Sequence, residues 1–199
     1  SLAQKYDTYG KTRNFETHDG SYVEVSGGAY GWLIDQNAEN EQLLSILKDG
    51  RQVEREPVYA QTAATRENCD MGNSYVEVDL SRQHLWMYRD GVVILESDFV
   101  SGDTSKGNTT PAGAYALYYK TSPFVLKSDT PGDSYETPVT YWMPFNGGIG
   151  FHDAAWRESF GGVIFQSSGS HGCINMPLDM AALMYENIYA GFPVVCFYR

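Results

Sequence analysis

A chain of 199 residues with a formal net charge of −11 and a pI near 4.7 gives a nucleic-acid backbone or an anionic lipid face little to grip, since both need clustered Lys and Arg. Acidic side chains outnumber basic ones on both sides of residue 73, and 42% hydrophobic against 20% charged residues excludes a disordered chain. Fifteen Tyr and twenty Gly favour strands and tight turns over long helices.

In chain order, a polar opening to Gly20 gives way to Ser21–Val25, which alternates as a half-buried strand does, and to a second extended piece over Ala29–Ile34. A helix follows, with Asn37 as its expected N-cap, Glu39 and Glu41 in the first turn, and Leu43, Leu44 and Leu47 as an apolar stripe. Gly50 is placed to end it. Val58–Ala60 is again extended. Residues 62–74 are mostly polar and without period, so the domain boundary is expected near residue 73. This divides the chain into a small α+β domain (1–72) and a larger domain (73–199).

The larger domain reads as mostly β. Tyr75–Leu80 alternates, His84–Tyr88 follows, and Asp90-Gly91 between apolar runs is a hairpin signal leading to Val92–Leu95. Asp98–Ser101 and Ala114–Tyr119 are further extended segments, separated by a Gly/Thr/Ser-rich loop that ends in Thr110-Pro111-Ala112-Gly113. Residues 121–138 are rich in Ser, Thr, Pro, Asp and Gly and too long for a bare connection, so a functional flap is expected there. One main helix, from Pro177 to about Gly191 with Leu183, Met184 and Ile188 inward, precedes a last strand over Pro193–Tyr198. The fold class is a mostly antiparallel β-sandwich or barrel-like domain with one main helix.

Three cysteines, Cys69, Cys173 and Cys196, are too few and odd in number for a disulfide framework. A Cys69–Cys196 bridge is the one pairing open if Cys173 is engaged elsewhere. Cys196, inside Val194–Phe197, reads more simply as buried filler.

The strongest chemical signal is Ser167-Ser168-Gly169-Ser170-His171-Gly172-Cys173-Ile174-Asn175. A cysteine between small residues sits on a tight turn that lets substrate approach the backbone and leaves N–H groups for a developing oxyanion. Its thiol needs a base, and His is the usual one. Both His171, two residues away, and His152, in Gly148-Ile149-Gly150-Phe151-His152-Asp153, qualify by chemistry alone. His152, His171 and Cys173 are also zinc-ligand types, but no fourth ligand is evident and a metal would consume the nucleophile.

His152, a spacer over 153–169, and then Ser170-His171-Gly172-Cys173-Ile174-Asn175 resemble the motif of the L,D-transpeptidase (YkuD-type) catalytic domain family. The resemblance runs over roughly 73–199 and includes Thr110–Gly113. It implies that Cys173 is the nucleophile and His152 its base, with Ser170 holding the imidazole through its backbone carbonyl. Gly172 and Cys173 would offer N–H groups to the oxyanion, and His171 would line the site. Asn175 departs from the Arg of many members and, with Tyr141–Pro144, is closer to enterococcal-type enzymes. Tyr141, Trp142, Trp156 and Asn175 form the expected substrate-contact set.

By the same resemblance, residues 1–72 look like the preceding domain often described as a peptidoglycan-binding module. The implied reaction is 3→3 cross-linking of peptidoglycan. Cys173 is acylated by the third residue of a donor tetrapeptide stem, D-alanine is released, and an acceptor stem amine takes the acyl group. Carbapenem β-lactams would acylate the same sulfur, and no cofactor or metal is needed. The implied place of work is outside the cell, on the cell-wall side of the membrane, with the full-length protein membrane-anchored. Two alternatives share the motif: an L,D-carboxypeptidase, with water as acceptor, and a wall-binding protein without activity.

Overall fold

A computed structural model describes residues 2–128 and 134–199. The N-terminal part runs α1 (Leu2–Tyr6), β1 (Arg13–Glu16), β2 (Tyr22–Val25), β3 (Leu33–Ile34), α2 (Gln36–Lys48) and β4 (Tyr59–Gln61). The rest comprises β5 (Tyr75–Asp79), β6 (His84–Arg89), β7 (Val92–Asp98), β8 (Gly113–Ala116), β9 (Phe124–Ser128), β10 (Tyr135–Val139), β11 (Trp142–Asn146) and β12 (Ile149–Asp153). It ends with α3 (Phe165–Ser168), β13 (Ile174–Met176), α4 (Leu178–Asn187) and β14 (Pro193–Phe197).

A five-stranded sheet, ordered β7-β6-β5-β14-β8, and a three-stranded sheet, β11-β12-β13, enclose the main core. Strand alternation assigns each side chain its face. Val76, Val78, Val194 and Cys196 point between the sheets, where they meet Met143, Phe145, Phe151, Ile174 and Met176. Tyr75, Val195 and Phe197 point the other way, into a second cluster with Phe15, Val25, Tyr30 and Met71. The N-terminal strands thus cover the outer face of the larger sheet.

The mostly-β sandwich is as expected, but not every pairing is antiparallel: β5 with β14 and β12 with β13 run parallel. The Asp90-Gly91 hairpin is present, with left-handed φ of 51° and 80° at its two turn residues. Cys69, Cys173 and Cys196 are all unbridged, and Cys196 is fully buried in β14.

The helix after residue 35 differs from expectation in two ways. Its N-cap is Asp35, not Asn37; the Asp35 carboxylate accepts the N–H groups of Asn37 and Ala38 at 3.1 and 3.0 Å. Its leucines also face outward, with Leu47 74% exposed. The buried side chain is Glu39, which Arg55 clamps at 2.9 and 3.0 Å and which also accepts Val58 N–H. The near-C-terminal helix ends at Asn187, short of Gly191, with Ile188 extended and buried beyond it.

The segment expected as a flap, 121–138, is an antiparallel hairpin: β9 pairs with β10, Tyr135 opposite Ser128 and Val139 opposite Phe124. Residues 129–133 at its turn lie outside the described residues. Its base is fastened by the face-on stacking of Phe124 over Trp142, 5.8 Å between centroids and 8° between planes.

Candidate active site

The parallel pairing of β12 with β13 brings the two halves of the motif together. His152 is the register partner of Asn175, and Phe151 of Ile174. Phe151 and Ile174 point into the core, so the alternate residues His152 and Asn175 face the opposite side, where Cys173 also lies. That side opens as a cavity of about 450 Å³ lined by His152, Ser170, His171, Cys173 and Asn175. Leu126, Tyr135 and Thr137 of the hairpin form its opposite wall, and Trp156 and Arg157 lie at a further edge.

His152 is 3% exposed. Its Nδ1 lies 2.9 Å from the carbonyl oxygen of Asp153. A carbonyl only accepts, so Nδ1 carries the proton and Nε2 presents a lone pair to the cavity. Burial is the main influence on the imidazole and pushes its pKa down; the charge of Arg157 acts the same way, while the Asp153 carbonyl and carboxylate oppose both. The resting ring is a neutral base.

This corrects the expected role of Ser170. The carbonyl that holds the imidazole belongs to Asp153, while the Ser170 carbonyl accepts the N–H of Asp103 at 2.8 Å. The Ser170 hydroxyl instead braces the turn. It donates to Cys173 O at 2.6 Å and accepts Gly172 N–H at 3.0 Å. Gly172 N–H is therefore already engaged, and an oxyanion at that donor would compete with Ser170 Oγ.

Cys173 is 8% exposed. Its Sγ–H points to Gly148 O at 3.5 Å, and burial pushes the thiol up to about 11. The resting state is thus a neutral thiol beside a neutral imidazole. The nucleophile becomes a thiolate only as its proton is taken. Among the described residues no group of three or more His, Cys, Asp or Glu side chains is placed to hold a metal ion.

Of the other expected residues, His171 is exposed and packs on the hairpin ring of Tyr135, 4.8 Å between centroids. Trp156 lies on the cavity, 6.0 Å from the His152 ring. Trp142 does not line the cavity: it is buried with Val139 and Cys173, 6.1 Å from the His152 ring. Tyr141 does not line the cavity: it packs against the main core and meets Tyr185 of α4 at 5.0 Å. It lies in the short connection between β10 and β11, where Asp153 fixes its backbone N–H. Asn175 is 2% exposed, with backbone bonds to Val100 in both directions. Its Oδ1 is buried without a partner.

Several supporting residues were not singled out from the sequence. The loop after β7 lies along the nucleophile turn: Ser170 N–H donates to Ser101 O, and Gly102 bridges Ser170. A Cβ at Gly102 would fall 1.7 Å from Asn108 O and 2.9 Å from the Gly172 Cα, so only glycine allows this approach. Fully buried Thr110 donates to Gly172 O at 2.6 Å and accepts Gly102 N–H at 3.0 Å. Gly172 itself has φ +118°, a value that disfavours any side chain. Asp103 accepts Ser105 Oγ–H and the N–H groups of Ser105, Lys106 and Gly169, which hold its carboxyl below the ordinary range. Asp103 before Thr104-Ser105 is a local capping signal that could have marked this turn.

Comparison with known proteins fits this geometry. Residues 73–196 match the family model of the L,D-transpeptidase catalytic domain, and residues 1–54 match a family of proposed peptidoglycan-binding domains. Among curated proteins no relative matches. Among solved structures, a cysteine-to-serine mutant of the Enterococcus faecium L,D-transpeptidase is 36% identical with a TM-score of 0.84, covering 98% of this chain and 78% of that one. An avibactam carbamoyl form of the Ldtfm enzyme is likewise 36% identical, TM-score 0.84, covering 98% and 76%. The E. faecium catalytic domain acylated by ertapenem is 42% identical, TM-score 0.58, covering 64% of this chain and 98% of that one. A family model matched over residues 73–196 and a relative 36% identical over 98% of the chain settle the family: the chain belongs to the L,D-transpeptidases.

Proposed function

We propose that this chain is a peptidoglycan L,D-transpeptidase that forms 3→3 cross-links through an acyl-enzyme on Cys173. The observation that carries the reading is the opening of Cys173 and His152 on one cavity, with His152 Nδ1 tied to Asp153 so that Nε2 is free to accept a proton. As the sulfur attacks the carbonyl of the third stem residue, His152 takes the thiol proton. The tetrahedral centre collapses, the peptide nitrogen leaves with that proton as the amine of D-alanine, and a thioester remains. The side-chain amine of an acceptor stem then attacks, His152 accepts its proton, and the C–S bond breaks to regenerate the thiol. The steps use no metal or organic cofactor.

The hairpin β9–β10 forms one wall of the cavity and would shield the thioester from water, favouring an amine acceptor. Residues 1–72 would serve as a peptidoglycan-binding domain beside a catalytic domain over 73–199. Because the substrate is cell-wall material, the protein would work on the outer side of the membrane, anchored there. The ertapenem-acylated relative supports carbapenems as covalent inhibitors of this chain too.

Two measurements test the reading. Intact-protein mass spectrometry with a carbapenem should show one adduct, lost in Cys173→Ala. Incubation with a disaccharide-tetrapeptide should give cross-linked dimer. Tripeptide alone would assign hydrolysis instead, and no adduct on the wild type would remove the enzyme reading altogether.

A further inference from the structure

The described lining of the catalytic cavity contains no Asp or Glu and only one Lys or Arg, Arg157. This is unusual in a chain of net charge −11, where acidic partners abound. Five other arginines, Arg13, Arg51, Arg55, Arg82 and Arg199, each pair with a carboxylate, while Arg66 stacks on Trp32 and Arg89 donates to Asn187 O, both away from this cavity. Arg157 has no carboxylate within 4.0 Å among the described residues. Its Nη1 donates to Ser168 O at 2.9 Å, and its Nε is buried with no hydrogen-bond partner. The side chain also borders a neighbouring cavity of about 410 Å³, so it stands as a partition between two open volumes.

A half-buried guanidinium without a counter-ion is unfavourable, and its burial pulls its pKa below the ordinary value. Such a cation is stabilised when a ligand supplies the anion, and the fork of N–H groups suits a carboxylate held by two bonds. We propose that Arg157 is the carboxylate-binding residue of this cavity and that it takes the C-terminal carboxylate of the donor stem peptide. The proposal rests on the acyl-donor reading above. In that donor a single residue lies beyond the carbonyl that Cys173 attacks, so the terminal carboxylate follows within one Cα–Cα step, ~3.8 Å along the chain. Arg157 lines the same cavity as Cys173 and its charge acts on His152, and it would serve as a ruler for donor length. It would bind the leaving D-amino acid and take no part in the proton transfers.

The test compares two donors on wild type: a tetrapeptide stem with a free C-terminus and the same stem with a C-terminal carboxamide. The free acid should be preferred by about 10- to 100-fold in kcat/KM, the range of a charge-assisted pair. Arg157→Gln should abolish the preference, so that acid and amide are used with about equal kcat/KM in that variant. Arg157→Lys should keep part of the preference. Alkylation of Cys173 by neutral iodoacetamide should be the same in all three proteins, which separates loss of recognition from loss of fold. Equal use of acid and amide by wild type, a reading that needs no variant, overturns the proposal while leaving the transpeptidase reading intact. So does a preference that persists in Arg157→Gln. A wild type that yields neither dimer nor tripeptide from the acid overturns the reading on which the proposal rests.

Discussion

His152 and Asp153 are joined through the backbone: the Nδ1–H of His152 donates to the Asp153 carbonyl at 2.9 Å, while the Asp153 carboxylate turns away to accept Thr140 and Tyr141 N–H groups at 2.8 and 2.7 Å. The orienting group for the base is therefore independent of the side chain at 153. Asp153→Ala should lose about 2–4 kcal/mol of stability, measured in denaturant, because two N–H groups lose a charged acceptor. Its rate of acylation by a carbapenem, per folded molecule, should fall less than about tenfold. His152→Ala should cost about 10²- to 10⁴-fold in the same assay. Comparable rate losses in the two variants would assign the carboxylate a direct part in catalysis.

The resting pair is neutral, since burial raises the Cys173 thiol to about 11 and lowers the His152 imidazole. Alkylation of Cys173 by iodoacetamide should therefore climb about tenfold per pH unit from 7 to 9 without levelling. Peptide mass spectrometry keeps half-buried Cys69 apart from the count. Acylation by a carbapenem, which draws on neutral His152, should instead rise at acid pH through a pKa below that of ordinary histidine and be flat near neutrality. A plateau of alkylation between pH 5 and 8 would mean a preformed thiolate–imidazolium pair.

Where the chain signals locally, the sequence was readable. Asp90-Gly91 needs left-handed backbone at both residues, and few dipeptides supply it so readily. Chemistry alone left His152 and His171 both open as partners of Cys173, and only the resemblance to a family motif selected His152; the physical cause of their meeting is the parallel register of β12 and β13, which no local pattern reveals. Leu43, Leu44 and Leu47 show the limit of periodicity, which identifies a striped helix without saying whether anything covers the stripe. Here Glu39 and Arg55 take the inward side. Thr110 and Asp103 act on Gly172 and Gly169, more than sixty residues away in sequence. Arg157 drew no notice because its distinction is a missing partner, and that is a property of the folded surroundings.

Thr110 carries its share through one hydroxyl that serves two backbone groups, donating to Gly172 O at 2.6 Å and accepting Gly102 N–H at 3.0 Å. Thr110→Val keeps the shape and leaves both groups buried and unpaired, at a cost of about 2–4 kcal/mol. Because the two glycines support the turn before Cys173, acylation should slow by about tenfold or more as well. Thr110→Ser restores the hydroxyl and should recover most of both losses. If Thr110→Val melts with the wild type and acylates at its rate, the hydroxyl does not hold the turn.

Glu77 sits fully buried at the seam between the N-terminal strands and the larger sheet, with Oε1 accepting His18 N–H at 2.9 Å and Oε2 unpartnered. Burial raises its pKa to about 7, with Asp79 and Asp19 adding to the rise and His18 N–H and Arg199 opposing it. An acid whose folded pKa lies above its unfolded one binds more protons in the folded state between the two values. The contribution of Glu77 to stability is then greatest below about 4.5, declines as pH rises toward 7, and levels off above. Glu77→Gln supplies a permanently neutral group that still accepts His18 N–H, so it should remove that decline. Its Tm should match wild type near pH 5 and exceed it by roughly 5 °C at pH 8. A Tm difference that stays constant from pH 5 to 8 would mean that Glu77 does not change protonation in this window, and that its burial is compensated within the seam.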